Sequence, residues 1–495
     1  MLEFASLTNL AAKLGSGETT SRELCELYLE RIRRYDPALK SVLELNPAAL
    51  ETADQLDEER AEGKSRSKLH GLPILVKDNI DTADMPTTAG SLALRDYMPP
   101  RDAFLVTRLR EAGALILGKT NLSEWANFRS SYSSSGLSSL GGQTRNPYDL
   151  TRSPCGSSSG SGAATAAGFC AASLGTETDG SIVCPSALCG VVGLKPTLGL
   201  LSRSGIIPVA HSQDTAGPMT RSVADAALLL NSLIGHDSKD TVTKAAENYA
   251  NIDYSAYLKP DALEGARLGM VRTLTGYNEL LDEHFEEQLG TLRKLGAEII
   301  DVEIDSSALR EPEYTVLLYE FKHDLNAYLA SLPAGYLGSL RELIDFNETN
   351  REAVMPTYGQ GHFERAQAKG PLSDKAYQQA LHDSKRLSGP EGIDKALSEH
   401  TLDALVAPTC APAWKIDAIN GDNYRGSAST LAAAAGYPHL TVPMGQVYGL
   451  PVGMSFFGAA FTEAKLLAYG YAFEQTAGGF KAPDLASLRT GEQQR

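Results

Sequence analysis

Two glycine–serine turns and one lysine at the end of an apolar run are the residues best equipped for chemistry in this chain. Thr178-Asp179-Gly180-Ser181 sets a hydroxyl directly after a glycine. A glycine there lets the backbone turn sharply, so several N–H groups can converge beside the Ser181 hydroxyl. Converging N–H donors are what the oxyanion of an acyl-transfer transition state needs. A second turn, Gly156-Ser157-Ser158-Ser159-Gly160, supplies further hydroxyls shortly upstream. Lys77 follows Leu72-Pro-Ile-Leu-Val76, a short apolar run that reads as an interior strand with a polar end at Asp78-Asn79. Most lysines are solvated surface groups. One at the end of a buried strand has its charged form disfavoured, and the neutral amine can then act as a base.

These residues need elements to hold them. No Asp, Glu, Lys or Arg occurs from Ser153 to Thr176, which predicts a buried segment: an Ala-rich helix between Gly- and Ser-rich ends. A solvated Gly/Ser linker would not alternate with Ala, Phe169, Cys170 and Leu174 in this way. Upstream, Thr20 or Ser21 caps a helix with Leu24, Tyr28 and Ile32 on one face, and a charged helix follows around Ala48–Gly63. A helix at Arg101–Gly113 leads into a strand at Ala114–Gly118. The long Ser-, Gly- and Asn-rich loop from Asn127 to Asp149 delivers the chain to Ser157. Ser130 and Ser131 would then line the site, the alternative being an ordinary surface loop.

Downstream, a helix at Ser222–Leu233 precedes a polar stretch around Asp237–Ala262. Strand Arg267–Val271, helix Asp282–Leu295 and strand Glu298–Val302 repeat the α/β alternation. A helix spans Tyr314–Leu332, Arg341–Leu372 reads as irregular, and Asp374–Leu387 reads as a helix. A strand at Ala404–Pro408 and a final helix at Thr462–Gln475 complete the chain. Length alone would suggest two or three domains, but no linker interrupts the pattern. The expectation is a single large α/β domain, in four stretches: a helical segment at about 1–65, a core at 66–235, a variable substrate-side region at 236–400 and a C-terminal core at 401–480.

Composition bounds the function. Forty-five Lys and Arg against 61 Asp and Glu give a net charge of −16, which disfavours nucleic acid as a partner. No stretch is apolar enough for a transmembrane helix and no signal peptide is evident, so a soluble cytoplasmic protein is expected. The six cysteines include no Cys-x-x-Cys pair and read as buried free thiols, with a disulfide between two of them the alternative. Zinc-binding, phosphate-binding and Rossmann motifs are missing, as is a Gly-x-Ser-x-Gly elbow at Ser181, where Val183 stands. His211 and His439 lie among apolar residues and read as structural.

Gly71-Leu-Pro-Ile-Leu-Val-Lys77, the Ser157 turn and the Ser181 turn, in that order and with their flanks, resemble the amidase signature family from about Ser21 to Gln475. The resemblance implies a mixed twisted sheet wrapped by helices and a Ser–Ser–Lys triad. Lys77 is then the base, Ser157 the bridging serine on a cis peptide and Ser181 the nucleophile, with the oxyanion held near Thr178, Asp179 and Gly180. It implies amide hydrolysis through an acyl-enzyme, with no metal, no cofactor and no obligatory protein partner. One departure counts: many members have Gly-Gly-Ser-Ile-Arg where this chain has Asp179-Gly180-Ser181-Ile182-Val183. In glutamine-using transamidase subunits of the family that arginine helps bind the substrate carboxylate, so Val183 ranks that role low. A non-catalytic binding protein ranks lower still. Thr176-Glu-Thr-Asp-Gly-Ser-Ile182, Gly199 to Pro208, Tyr319 to Asn326 and Ala366 to Gly370 resemble the peptide amidase branch, which removes C-terminal carboxamides. On that reading the peptide rests on Tyr319, Phe321 and Tyr358, with small aryl or alkyl amides as the alternative substrates.

Overall fold

The computed structural model describes residues 2–487. One sheet of eleven strands runs through them. From one edge its order is Val42–Leu45, Leu115–Thr120, Pro73–Lys77, Ala172–Glu177, Thr215–Thr220 and Val192–Lys195. It continues through His439–Val447, Leu450–Phe457, Ala404–Pro408, Arg267–Val271 and Glu298–Val302. Pro73–Lys77 is parallel to both of its neighbours, whereas Ala172–Glu177 pairs antiparallel with Thr215–Thr220. The sheet is therefore mixed, with helices around it, as the family resemblance implies.

The parallel pairing of Pro73–Lys77 with Ala172–Glu177 is what matters for the site. Val76 lies opposite Leu174, so the two strands end close together, and the Lys77 side chain reaches Thr176 at the end of the neighbouring strand. Every residue of the two strands is buried. The helix Ser159–Ala166, also wholly buried, packs so closely that a Cβ on Gly160 would stand 2.3 Å from the Ser41 carbonyl oxygen and 2.4 Å from that of Asn121. Only glycine allows this approach.

The first capped helix is Ser21–Leu39, with Thr20 as its N-cap in a reciprocal box with Glu23. The stretch read as irregular, Arg341–Leu372, instead holds the helices Leu340–Thr349, Arg351–Val354 and Gly361–Gln367. The first of them has a cap, Ser339 accepting from the Glu342 N–H, and a buried stripe of Leu340, Leu343 and Ile344. Its polar residues are simply the outer face of an amphipathic helix. No helix among the described residues is long and apolar enough to cross a membrane.

Candidate active site

Lys77 closes its strand with a side chain fully shielded from solvent. Its Nζ stands 2.7 Å from Ser157 Oγ, 2.8 Å from Thr176 Oγ1 and 3.2 Å from the Thr176 carbonyl oxygen. Burial lowers its pKa to about 7, against the opposing pull of the Asp214 and Glu177 carboxylates. In the charged form all three contacts are N–H donations. Once deprotonated, the amine keeps two N–H bonds, which Thr176 accepts, and turns one lone pair to the Ser157 hydroxyl.

Ser157 follows a cis Gly156–Ser157 peptide bond. Its carbonyl accepts from the Ser123 N–H at 3.1 Å, and the Ser158 N–H donates to the Ser181 carbonyl at the same distance. Ser158 Oγ also donates to the Thr176 carbonyl at 3.0 Å and accepts from the Thr176 N–H at 3.2 Å. The two glycine–serine turns and the strand end are thus stitched together.

Gly180, immediately before Ser181, has φ +76°, the left-handed region that favours glycine. Past the turn, the N–H groups of Ile182 and Val183 donate to Glu177 Oε2 at 2.7 and 3.0 Å, at the start of the helix Val183–Leu188. The N–H groups of Asp179, Gly180 and Ser181 have no acceptor among the described residues. Asp179, Gly180 and Ser181 all line a cleft of about 380 Å³. Burial raises Glu177 to about 7 and lowers its neighbour Lys195 to about 8, each opposing the other's shift.

Around the turn, the Thr178 hydroxyl donates to Asp214 at 2.5 Å, and Gln213 Nε2 bridges the Thr178 carbonyl and Glu313 at 3.2 and 3.1 Å. Asp179 accepts from the Thr430 hydroxyl at 2.8 Å. Burial first, then the Asp179 charge, holds the Glu313 carboxyl well above its usual range. The cleft continues past Ser131, Asp179, Leu317 and Tyr424 into a groove of about 1200 Å³. Arg310, Arg365 and Arg425 line that groove. Arg365 donates to the Tyr314 hydroxyl at 3.0 Å, while Arg310 and Arg425 pair with no carboxylate among the described residues.

Of the sequence-predicted substrate contacts, Ser131 lines both cavities. Ser130 is buried, its Oγ accepting from the Tyr132 N–H, and lies outside the lining. Tyr319 is corrected: it packs with Val316 and Tyr377, and its hydroxyl donates to Asp374. Phe321 is corrected too, being enclosed between Phe128 and Phe363. The cause is helical phase. Along the helix Arg310–Ala330 the groove is lined by Arg310, Glu311, Glu313, Tyr314 and Leu317, one side of its first two turns, and positions 319 and 321 point elsewhere. Tyr358 lies under the Arg129 guanidinium at 4.5 Å, beside the buried Arg129–Glu124 ion pair, and does not line the cleft. Asp214, Gln213 and Glu313 escape sequence reading because each belongs to a segment distant from the motifs.

The sequence profile of the family described as Amidase matches residues 23–467. The chain belongs to the amidase family. The native peptide amidase of Stenotrophomonas maltophilia, a solved structure, is 50% identical, with a TM-score of 0.93 over 97% of this chain and 98% of that one. A probable amidase of Arabidopsis thaliana is 40% identical over 96% of this chain and 90% of its own. A glutamyl-tRNA(Gln) amidotransferase subunit of Thermoanaerobacter pseudethanolicus is 36% identical over 96% and 97%.

In this amidase no histidine among the described residues serves Ser181. His439 is fully buried, its ring 2.6 Å from Ser455 Oγ, and burial lowers it to about 3. His211 departs from the apolar setting expected of it: its ring is 42% exposed and sits 2.8 Å from Asp324. All six cysteines are buried free thiols.

Proposed function

We propose that this amidase is a stand-alone hydrolase that releases ammonia from the C-terminal carboxamide of peptides. The observation that carries the reading is the 2.7 Å contact between Ser157 Oγ and a wholly buried Lys77. Neutral Lys77 takes the proton of Ser157 while Ser157 takes that of Ser181, and Ser181 Oγ bonds to the amide carbon. The N–H groups of Thr178, Asp179 and Gly180, together with that of Ser181, hold the oxyanion. Collapse breaks the C–N bond, and the proton returns through Ser157 to the departing ammonia. Water then attacks the ester along the same relay, freeing the acid and Ser181. Lys77, Ser157 and Ser181 need no metal or organic group for any of these steps.

The acyl part of the substrate runs from the cleft into the larger groove, past the Leu317 and Tyr314 face. The 50% identity to a peptide amidase supports this substrate class. Transamidase subunits also count among the relatives, but Val183 is apolar, buried and unable to bind a carboxylate. Ammonia release is measured from a dipeptide amide, the corresponding free acid and benzamide, with purified protein and no added partner. Release from the dipeptide amide supports the reading, and release from benzamide alone rejects it.

A further inference from the structure

Three of the six thiols gather against the catalytic turns and take no part in the reaction. Cys155, Cys184 and Cys410 share one small apolar cluster with Leu188 and Trp414, while Cys25, Cys170 and Cys189 lie in other parts of the core. Cys155 precedes Ser157 by two residues and Cys184 follows Ser181 by three, and both line the cleft. Cys184 Sγ comes within 3.9 Å of the point that a Cβ on Gly180 would occupy. It shares that cluster with both other thiols, and its Sγ lies 3.7 Å from the Tyr424 hydroxyl.

Sulfur ligands in an apolar pocket select soft cations over hard ones. Coordination number narrows the choice. Zinc wants four ligands in a tetrahedron, and the three sulfurs do not converge: the only trio of donor atoms within 4.8 Å of one another, among the described residues, is His211, His323 and Asp324. Two sulfurs at a time suit an ion that binds linearly. Access favours the same class, since the three side chains are 1–4% exposed and only a bare ion arriving through the cleft reaches them.

We propose that Cys184, with Cys155 or Cys410, forms a binding site for a soft two-coordinate d¹⁰ cation of the Ag⁺, Cu⁺ or Hg²⁺ class, and that its occupation shuts the catalytic cleft. Binding forms two metal–sulfur bonds and releases the two thiol protons to solvent, with no change of oxidation state. The ion then sits beside the Gly180 turn and displaces the oxyanion donors.

The test titrates the purified enzyme with silver nitrate in chloride-free buffer, following thiolate–silver ultraviolet absorbance and the rate on the best amide substrate. One equivalent is expected to consume two thiols and to remove most of the rate, a small competing amide to slow the loss, and excess small thiol to restore activity. Cys184→Ala should lose that first equivalent and keep its own metal-free rate in the presence of silver, whereas Cys25→Ala should respond as the parent does. Should Cys184→Ala not fold, Cys155→Ala/Cys410→Ala leaves a lone thiol that should bind silver far more weakly. The proposal is overturned if either variant takes up the first equivalent like the parent, or if the parent holds it at full rate. The absorbance reads the site even if no amide is hydrolysed, so this outcome is separate from the fate of the proposed reaction.

Discussion

The Ser158 N–H donates to the Ser181 carbonyl at 3.1 Å, so the two glycine–serine turns are held to one another through the backbone and not through their reactive side chains. Each hydroxyl can therefore be removed with the frame left in place. Ser181→Ala is expected to abolish ammonia release. Lys77→Ala should lower kcat by about 10²–10⁴, the usual contribution of a positioned base. Ser157→Ala should lose less, because water can relay part of the proton. A folded Lys77→Ala protein with the parent rate would refute the mechanism.

On the proposed mechanism the pH profile follows from Lys77, which acts as base when neutral. With its pKa lowered to about 7, kcat/KM should rise with pH through that value and level off above it. Residual activity of Lys77→Ala should lack this limb.

Stability carries the opposite face of the same shift. The unfolded lysine titrates near 10.5 and the folded one near 7, so between these values the unfolded chain binds more protons. The burial penalty is complete below about 7 and disappears by 10.5, and stability contributed at this position rises with pH across that window. Lys77→Met should flatten the rise, as read by urea unfolding at neutral and at alkaline pH.

Glu177 fixes the other end of the nucleophile turn by accepting from both Ile182 and Val183. Glu177→Gln retains an acceptor oxygen and should be mild. Glu177→Ala leaves two buried N–H groups unpaired, at about 1–3 kcal/mol each. It should also lower kcat by about 10², the cost of a small misplacement, with little change in KM. Steady-state kinetics and thermal unfolding of the pair separate the two effects.

Arg310 and Arg425 put unpaired positive charge, alongside the Glu311, Glu313 and Asp179 carboxyls, on a groove in a chain whose net charge is −16. Peptide amides with Asp or Glu upstream of the amide should be favoured over their Lys counterparts, and Arg310→Ala/Arg425→Ala should shrink the difference. Exposed charges contribute about 0.2–1 kcal/mol each, so a change of about fivefold in relative kcat/KM is expected, falling with salt. An unchanged ratio in the double variant would remove the groove charge from the account.

What the sequence makes legible is local. Lys77 stands out because Ile74, Leu75 and Val76 read as an interior strand, and the structure buries all of them. The uncharged stretch from Ser153 to Thr176 announces its own burial in the same way. Tyr319 and Phe321 mislead because an aromatic on an amphipathic helix looks alike whether it faces a groove or a core, and only the packed partner fixes the phase. Thr176, Glu177 and Asp214 act through contacts between strands whose pairing no local pattern states. The helices inside Arg341–Leu372 are hidden by their charged outer faces.

The groove draws its far wall from Leu274, Ser306 to Leu317 and Tyr424 to Leu431, whereas Lys77, Ser157 and Ser181 come from the other half of the sheet. On the proposed mechanism, the chemistry and most of the acyl-side contacts are thus encoded in separate lengths of gene. A randomised library confined to codons 306–311, 314–317 and 424–428, which spares Glu313, Ser429 and Thr430 beside the Asp179–Gly180 turn, would search over acyl groups while every member inherits the same hydrolytic apparatus.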